Sequence, residues 1–596
     1  MARRRFRPRR IYLRAVRRWR RLARYDQVVL SIAALVTGLA AGYGAIAFRW
    51  LLAAVQDLVY GFSSERVFSL AAALPWWQVL LAPAAGGLAV GLFLKYLMPG
   101  GQPQGVAQVI EAVSLERGRM SLRTGIGAAL VSAASLGVGA STGREGPLVH
   151  LGASLASWTA HRLHLGRTMT LTLVGCGVAS GVAASFNAPI AGVLFALEVV
   201  VGHYALQAFA PIVIASVAGT IVSRVQFGDH PAFVIPEYGI VSLWEFPGFI
   251  LLGAVSAAVA MIFMRSVMFA EDTVSRVPAP EWLRPAAGGL AVGAIAILFP
   301  QVLGVGYEAT DAALNERFGL WLLLALIAAK TAATAISLAC RFGGGVFSPS
   351  LFLGAMTGGV YGLVAAMAFP ELAATHGLYA IVGMGAVAAA VLGAPISTTL
   401  IVFEMTGDYK VTIAVMLAVS VASLLTQRLM VKSFFLWQLE RRGISLAGGR
   451  ERYLLQTTRV RDVMSDSFRV IAHDTKLRRI RELLQTEPHG DFFVVGEDGR
   501  LVGVVGFDDI RPIAFEPGID EVINAHDVAR SDPPVLEADS SLEEALRLID
   551  RHRDGRLAVV DDLESMRVVG AVSHRDILLA YNRVLLEVRA EERGED

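Results

Sequence analysis

The sequence predicts an all-helical membrane domain built from two related halves, followed by a smaller α/β unit. Three observations predict it. Apolar runs fill the chain from about Val28 to about Met430, and ordinary polarity returns after about Thr457. A set of Gly, Pro and Glu positions recurs about 200 residues later. A shorter repeat occupies the polar tail.

The apolar character shows in bulk. Charged residues make up 18% of the 596, against roughly 25% in soluble globular chains, and mean hydropathy is +0.54. A chain of this length exceeds one hydrophobic core. The boundaries that follow are an Arg-rich N-terminus over 1–25, a membrane domain over 26–445, a linker over 446–456 and a polar unit over 457–596.

The N-terminus carries 12 arginines before Asp26 and no acidic residue. Such a run could bind nucleic acid. Directly before an apolar segment it reads as a positive-inside signal that keeps this end cytoplasmic. No small-residue cleavage site closes a short apolar core, so a removable leader is not expected. Cys176 and Cys340 are the two cysteines, which leaves no disulfide framework and no metal-ligand spacing.

Thirteen apolar segments follow, from Val28–Val55 to Val411–Leu429. Several fall short of the ~20 residues that cross a ~30 Å hydrocarbon core, and many are broken by Gly or Pro. Short broken helices at membrane depth survive only where they are buried or line a polar cavity. The pattern points to a channel or transporter rather than an anchor.

The long repeat sharpens this. Gly143-Arg-Glu-Gly-Pro147 with Gly152 is matched by Gly345-Val-Phe-Ser-Pro349 with Gly354, 202 positions on. Phe186-Asn-Ala-Pro189 with Glu198 is matched by Leu392-Gly-Ala-Pro395 with Glu404, 206 positions on. Repeated halves often meet at mid-membrane and build the ion site there.

In Gly143–Pro147 the proline suits the first turn of a helix, and the glycines let backbone approach a ligand. The amides at such a helix start attract anions. Glu145 is then either a structural cap or a competing anion that leaves when protonated. Gly343-Gly344-Gly345 before Val346 and Phe347 could be an ordinary turn, but its place in the repeat favours an anion-facing backbone. Glu198 and Glu404 read as helix-end or interface residues, since an intramembrane carboxylate normally has a partner.

The tail repeat pairs Gly503 and Asp509 with Gly570 and Asp576, 67 positions apart. Each unit predicts an extended start, a helix (Lys476–Leu484; Ser541–Arg551), two short strands and a closing helix.

These segments together resemble the signatures of the chloride channel and transporter (CLC) family, in its order, over about 28–445, with the paired CBS modules common in that family. The resemblance implies two inverted halves, a homodimer with one pathway per chain, and small anions, chloride first, as the transported species. It makes Glu145 the gate. It places Val346 and Phe347 as backbone ligands of the central anion, with Gly143, Arg144, Gly146 and Gly345 around it. Two positions depart from the pattern: Gln104 stands where a serine usually coordinates the anion, and Phe435 where a tyrosine does. Phe435 cannot donate a hydrogen bond, while Gln104 can through its amide. Weaker central binding is expected.

Val199 stands where family exchangers carry the inner proton glutamate, which favours a channel over a proton/chloride antiporter. In the tail, Ser573 would donate to phosphate and Asp576 accept from ribose. Gly506 leaves the first module without that hydroxyl, so the pair is either an adenosine-nucleotide sensor or a structural remnant. No required cofactor and no nucleic-acid partner are expected. A CBS-regulated cation transporter or membrane nucleotide sensor would need acidic clusters along the pore, and an enzyme would need a nucleophile–base pair. The sequence offers neither. The reading is a multi-pass membrane protein with both termini cytoplasmic.

Overall fold

A computed structural model describes residues 26–593, apart from 65, 203–205, 230–232, 234–239, 241, 370–374, 431, 447–448, 487–489, 514–515, 517 and 552–555. The Arg-rich segment 1–25 lies outside the described residues. The chain divides into two compact units at Gly443/Ile444.

The first unit is helical. Its first half comprises α1 (Asp26–Tyr60), α2 (Trp76–Leu97), α3 (Val106–Ser114), α4 (Leu122–Gly137), α5 (Glu145–Leu163), α6 (Arg167–Phe186), α7 (Pro189–Phe195) and α8 (Leu206–Phe227). The second half answers in the same order. It runs through α9 (Phe246–Arg276), α10 (Arg284–Leu298), α11 (Tyr307–Leu314), α12 (Leu320–Ala339), α13 (Phe347–Ala368), α14 (His376–Leu392), α15 (Pro395–Thr406) and α16 (Tyr409–Met430), and α17 (Phe434–Glu440) follows. Among the described residues, nine helices are long and apolar enough to cross a membrane. Besides the short helix Val67–Ala71, three short ones, α3, α11 and α17, fall outside the apolar segments expected from sequence. At 7 to 9 residues they are too short for a run of hydropathy to reveal.

Packing repeats as well as order. α1 lies on α8 as α9 lies on α16, and α5 on α6 as α13 on α14. The last two contacts are made backbone to backbone. A Cβ on Gly152 would stand 2.2 Å from the Gly177 carbonyl oxygen, and one on Gly177 would stand 2.1 Å from that of Gly152. Gly354 and Gly383 repeat the contact at 2.4 and 2.5 Å. Lipid gives apolar side chains little reason to prefer protein neighbours, so helix association rests on close packing, which small residues permit. That is why these four positions are glycine.

Among its described residues the second unit holds two sheets. The first has the order β1 (Val470–Ala472), β2 (Asp491–Val495), β3 (Leu501–Gly506), β4 (Arg530–Ser531). The second runs β5 (Val535–Glu537), β6 (Arg556–Val560), β7 (Val568–Ser573). Each opens with a parallel pair and continues antiparallel, with the register shifting at Val494/Val495 and again at Val559/Val560. The segment expected to be a linker is largely the helix α18 (Gly449–Thr457), and its Leu455 is buried in the core of the second module. Its two glycines and run of charges hid a helix whose stability comes from that burial. The helices α19 (Leu477–Thr486) and α20 (Leu542–Arg551) bury Leu477, Ile480, Leu483 and Leu542, Ala545, Ile549 on single faces, and α21 (His574–Arg593) closes the unit.

Candidate anion pathway

The two Gly-rich loops of the repeat meet. The Gly143 N–H donates to the Gly345 carbonyl at 2.6 Å, and the Gly345 N–H returns to Gly143 at 2.8 Å, an antiparallel bridge. Serines 202 positions apart hold each loop from the opposite half. Ser135 Oγ accepts the Gly343 N–H at 2.9 Å, and Ser337 Oγ accepts the Ser141 N–H at 3.1 Å. Gly344 has φ +145°, and a Cβ there would lie 2.1 Å from Thr142 Oγ1. The crossing therefore brings the starts of α5 and α13, with their outward N–H groups and partial positive charge, to one place.

Glu145 is the first residue of α5 and is 1% exposed. Its Oε1 accepts from Tyr307 Oη at 3.0 Å and from Ser348 Oγ at 2.6 Å, both from the second half. Oε2 has no protein donor among the described residues. The Arg144 guanidinium stands over the Tyr307 ring at 4.5 Å and donates to the Ser185 carbonyl at 3.2 Å. Ser348 lies inside the motif already singled out from sequence. Tyr307 does not, and its one available signal was that it opens α11, the repeat-mate of α3, straight after Gly306.

A cavity of about 310 Å³ reaches from Glu145 to Arg441. Gln104, Gly146, Gly345, Val346, Phe347 and Phe435 line it, so the structure brings these expected site residues together. Gly143 and Arg144 do not line it. Arg144 instead faces a second cavity of about 190 Å³, together with Tyr307 and Arg49. The Glu145 carboxylate lines the first cavity and accepts a hydrogen bond from Tyr307, which lines the second. Phe347 packs on Phe186 and Phe195, with ring centres at 5.0 and 5.8 Å. Gln104 is partly exposed and its amide donates to the Gln102 carbonyl at 3.4 Å. Phe435 lines the cavity with a ring that has no hydrogen-bond donor.

Val199 sits outside that lining, in a widened π turn over Ala196–Val201 that continues α7. The neighbouring Glu198 turns to the other half. It accepts from Ile396 N at 3.0 Å and from Ser397 N and Oγ at 2.8 and 2.5 Å.

Arginines that line the cavity are held in ion pairs. Arg341 meets Glu281 through two 2.7 Å contacts, and Arg442 lies 3.5 Å from Glu111. In the second unit Ser573 and Asp576 pair with each other. Ser573 Oγ donates to Asp576 Oδ2 at 2.6 Å and accepts the Asp576 N–H at 3.1 Å.

Repeated broken helices meeting at two N-termini around a buried carboxylate define a membrane transport protein with an anion-facing centre. The match to known proteins then fixes the family. Residues 86–427 match the voltage gated chloride channel family, and 460–514 and 525–583 match the CBS domain. The chain belongs to that chloride channel family and carries a CBS pair. A ClcB-like chloride channel protein of Ralstonia nicotianae is 36% identical over 395 residues, which is 65% of this chain and 91% of the relative. A slow cyanobacterial Cl⁻/H⁺ antiporter superposes with a TM-score of 0.63 at 23% identity, covering 69% of this chain and 97% of its own. A eukaryotic CLC transporter superposes at 0.61 with 20% identity, covering 93% and 98%. At those identities the superpositions establish the fold.

Proposed function

We propose that this protein conducts chloride and similar small anions passively across the cell membrane, with Glu145 as the gate. Val199 carries the reading. A valine holds no proton, and the adjacent Glu198 is committed to the start of α15 through three donors. A relay from the inner side to Glu145 therefore lacks its inner station. The central anion is held by backbone at Val346 and Phe347 with little help from side chains, since Phe435 has no hydroxyl and Gln104 bonds locally. Weak central binding suits conduction, in which the ion must leave as readily as it enters.

The gate works by competition. In the arrangement described, the carboxylate occupies the meeting point of two helix starts, where an anion would be stabilised. Swinging it out, or neutralising it, frees that place. The functional unit is a homodimer with one pathway per chain, and both termini are cytoplasmic. The CBS pair is the regulatory element, with an adenosine nucleotide at Ser573 and Asp576 as its ligand. Binding there has to exchange the Ser573–Asp576 pairing for contacts to phosphate and ribose.

Proteoliposomes under a chloride gradient, with chloride and proton movement recorded together, test the reading. Passive chloride flux without uphill proton movement, increased in Glu145→Gln, is expected. Proton uptake driven by chloride and abolished in Glu145→Gln would make the protein a proton/chloride antiporter. Exclusion of chloride while potassium or magnesium passes would remove both readings.

A further inference from the structure

We infer that Tyr307 is the latch of the gate, a positioning residue that holds the Glu145 carboxylate closed from the opposite half of the molecule; this rests on Glu145 being the gate. The phenol donates to Oε1 at 3.0 Å. Its ring packs against the Arg144 guanidinium at 4.5 Å and the Phe233 ring at 4.8 Å, and the residue is 8% exposed.

The backbone leading to it is also pinned. Gly306 takes φ +88°, and a Cβ there would stand 2.8 Å from the Phe352 ring. Lys330, fully buried in α12, donates from Nζ to the carbonyls of Val302 and Gly304 at 3.0 Å each. The donor therefore stays in place while the carboxylate moves. Both hydroxyls that hold Glu145 reach the same oxygen, and Oε2 has no protein donor among the described residues. The closed gate thus hangs on one oxygen, and each of the two donors bears on how often it opens.

Tyr307→Phe keeps the ring and its contacts and removes only the donor. A hydrogen bond to a charged group makes a difference of about ten-fold or more. Chloride efflux from proteoliposomes of Tyr307→Phe is therefore expected to rise about ten-fold. Ser348→Ala, which removes the other donor, is expected to raise efflux in the same direction. The decisive readout is coupling. In a Glu145→Ala background the phenol has nothing to hold, so adding Tyr307→Phe should leave efflux unchanged.

Unaltered efflux in Tyr307→Phe, or the same rise in the Glu145→Ala background, overturns the latch. The second result would mark a change in the packing of the second cavity, which Tyr307 lines. Monodisperse protein in detergent verifies folding, and Tyr307→Met, which also lacks a donor, takes the place of the Phe variant if that is not recovered. Glu145→Ala alone separates the two proposals. If it leaves efflux unchanged the gate reading fails, whereas a rise there without one in Tyr307→Phe removes only the latch.

Discussion

Glu198 and Glu404 are repeat-mates that cap each other's half. Glu198, at the end of the α7 segment, accepts the N–H groups of Ile396 and Ser397 at the start of α15. Glu404, near the end of α15, accepts those of Ile190 and Ala191 at the start of α7, at 2.9 and 2.7 Å. Two helix starts that would otherwise leave these N–H groups unpaired are thereby satisfied by carboxylates favoured at a positive dipole end.

Capping of this kind predicts a structural, not a proton-carrying, phenotype. Glu404→Ala and Glu198→Ala should each lower the stability of the membrane domain by about 1–2 kcal/mol, read as a lower thermal midpoint in detergent. Their chloride selectivity should stay as it is. A loss of proton movement with unaltered stability in Glu198→Ala would show that this carboxylate carries protons after all.

The missing hydroxyl at Phe435 predicts a weak central site that one substitution strengthens. The ring is buried and lines the cavity beside Val346 and Phe347. Phe435→Tyr adds a donor at that wall. One new hydrogen bond to an anion, about 1 kcal/mol or more, should tighten halide binding at least about five-fold. Calorimetric titration with chloride and anomalous scattering from bromide both measure it. Full central occupancy in the parent protein, unimproved by Phe435→Tyr, would mean that the backbone alone already saturates the site.

What could be read from the sequence follows from what repeats. The glycines, prolines and glutamates of the two halves carry backbone geometry, so their spacing exposed the two helix starts and set Glu145 at one of them. Glu198 and Glu404 were legible as helix-end residues for the same reason, although not that each serves the other's helix. That exchange exists only once the halves are packed. Tyr307 was not singled out because its place after Gly306 says nothing of its partner, and its role depends on a contact across 162 positions with no counterpart in the first half, where Val106 opens α3. The helix α18 was hidden because its run of charges and adjoining glycines looked like a linker, and Leu455 gains its burial from a distant part of the chain.

The glycine contacts of α5 with α6 predict intolerance to a single methyl group. In Gly177→Ala the new Cβ would meet the Gly152 carbonyl oxygen at 2.1 Å, which forces two packed helices apart. A loss of about 2–3 kcal/mol is expected, seen as poor recovery of folded protein and a lower thermal midpoint. Gly248→Ala is the control. Its Cβ would meet only the Tyr361 hydroxyl at 3.6 Å, an ordinary contact, so its stability should match the parent. Equal behaviour of the two variants would contradict the close approach of α5 and α6.

The CBS unit supplies a pH-dependent contact. Glu543 on α20 accepts from Gln456 on α18 at 2.8 Å, and Arg452 and Arg547 flank it. The Gln456 hydrogen bond, aided by the two arginines, holds the Glu543 carboxyl below the usual carboxylate range. A group whose folded value is depressed stabilises at pH above its unfolded value, near 4.3, and that contribution is lost as pH falls through the folded value. The contact is largely solvated, so the effect is small. Glu543→Gln should make amides of 449–457 and 542–551 exchange about two- to three-fold faster at pH 7. After correction for intrinsic rates, the difference between parent and variant should shrink as pH falls below the unfolded value and vanish once it has passed the lower folded value. A difference that persists undiminished in acid would show that Glu543 acts through its shape and hydrogen-bond geometry, with its charge contributing nothing.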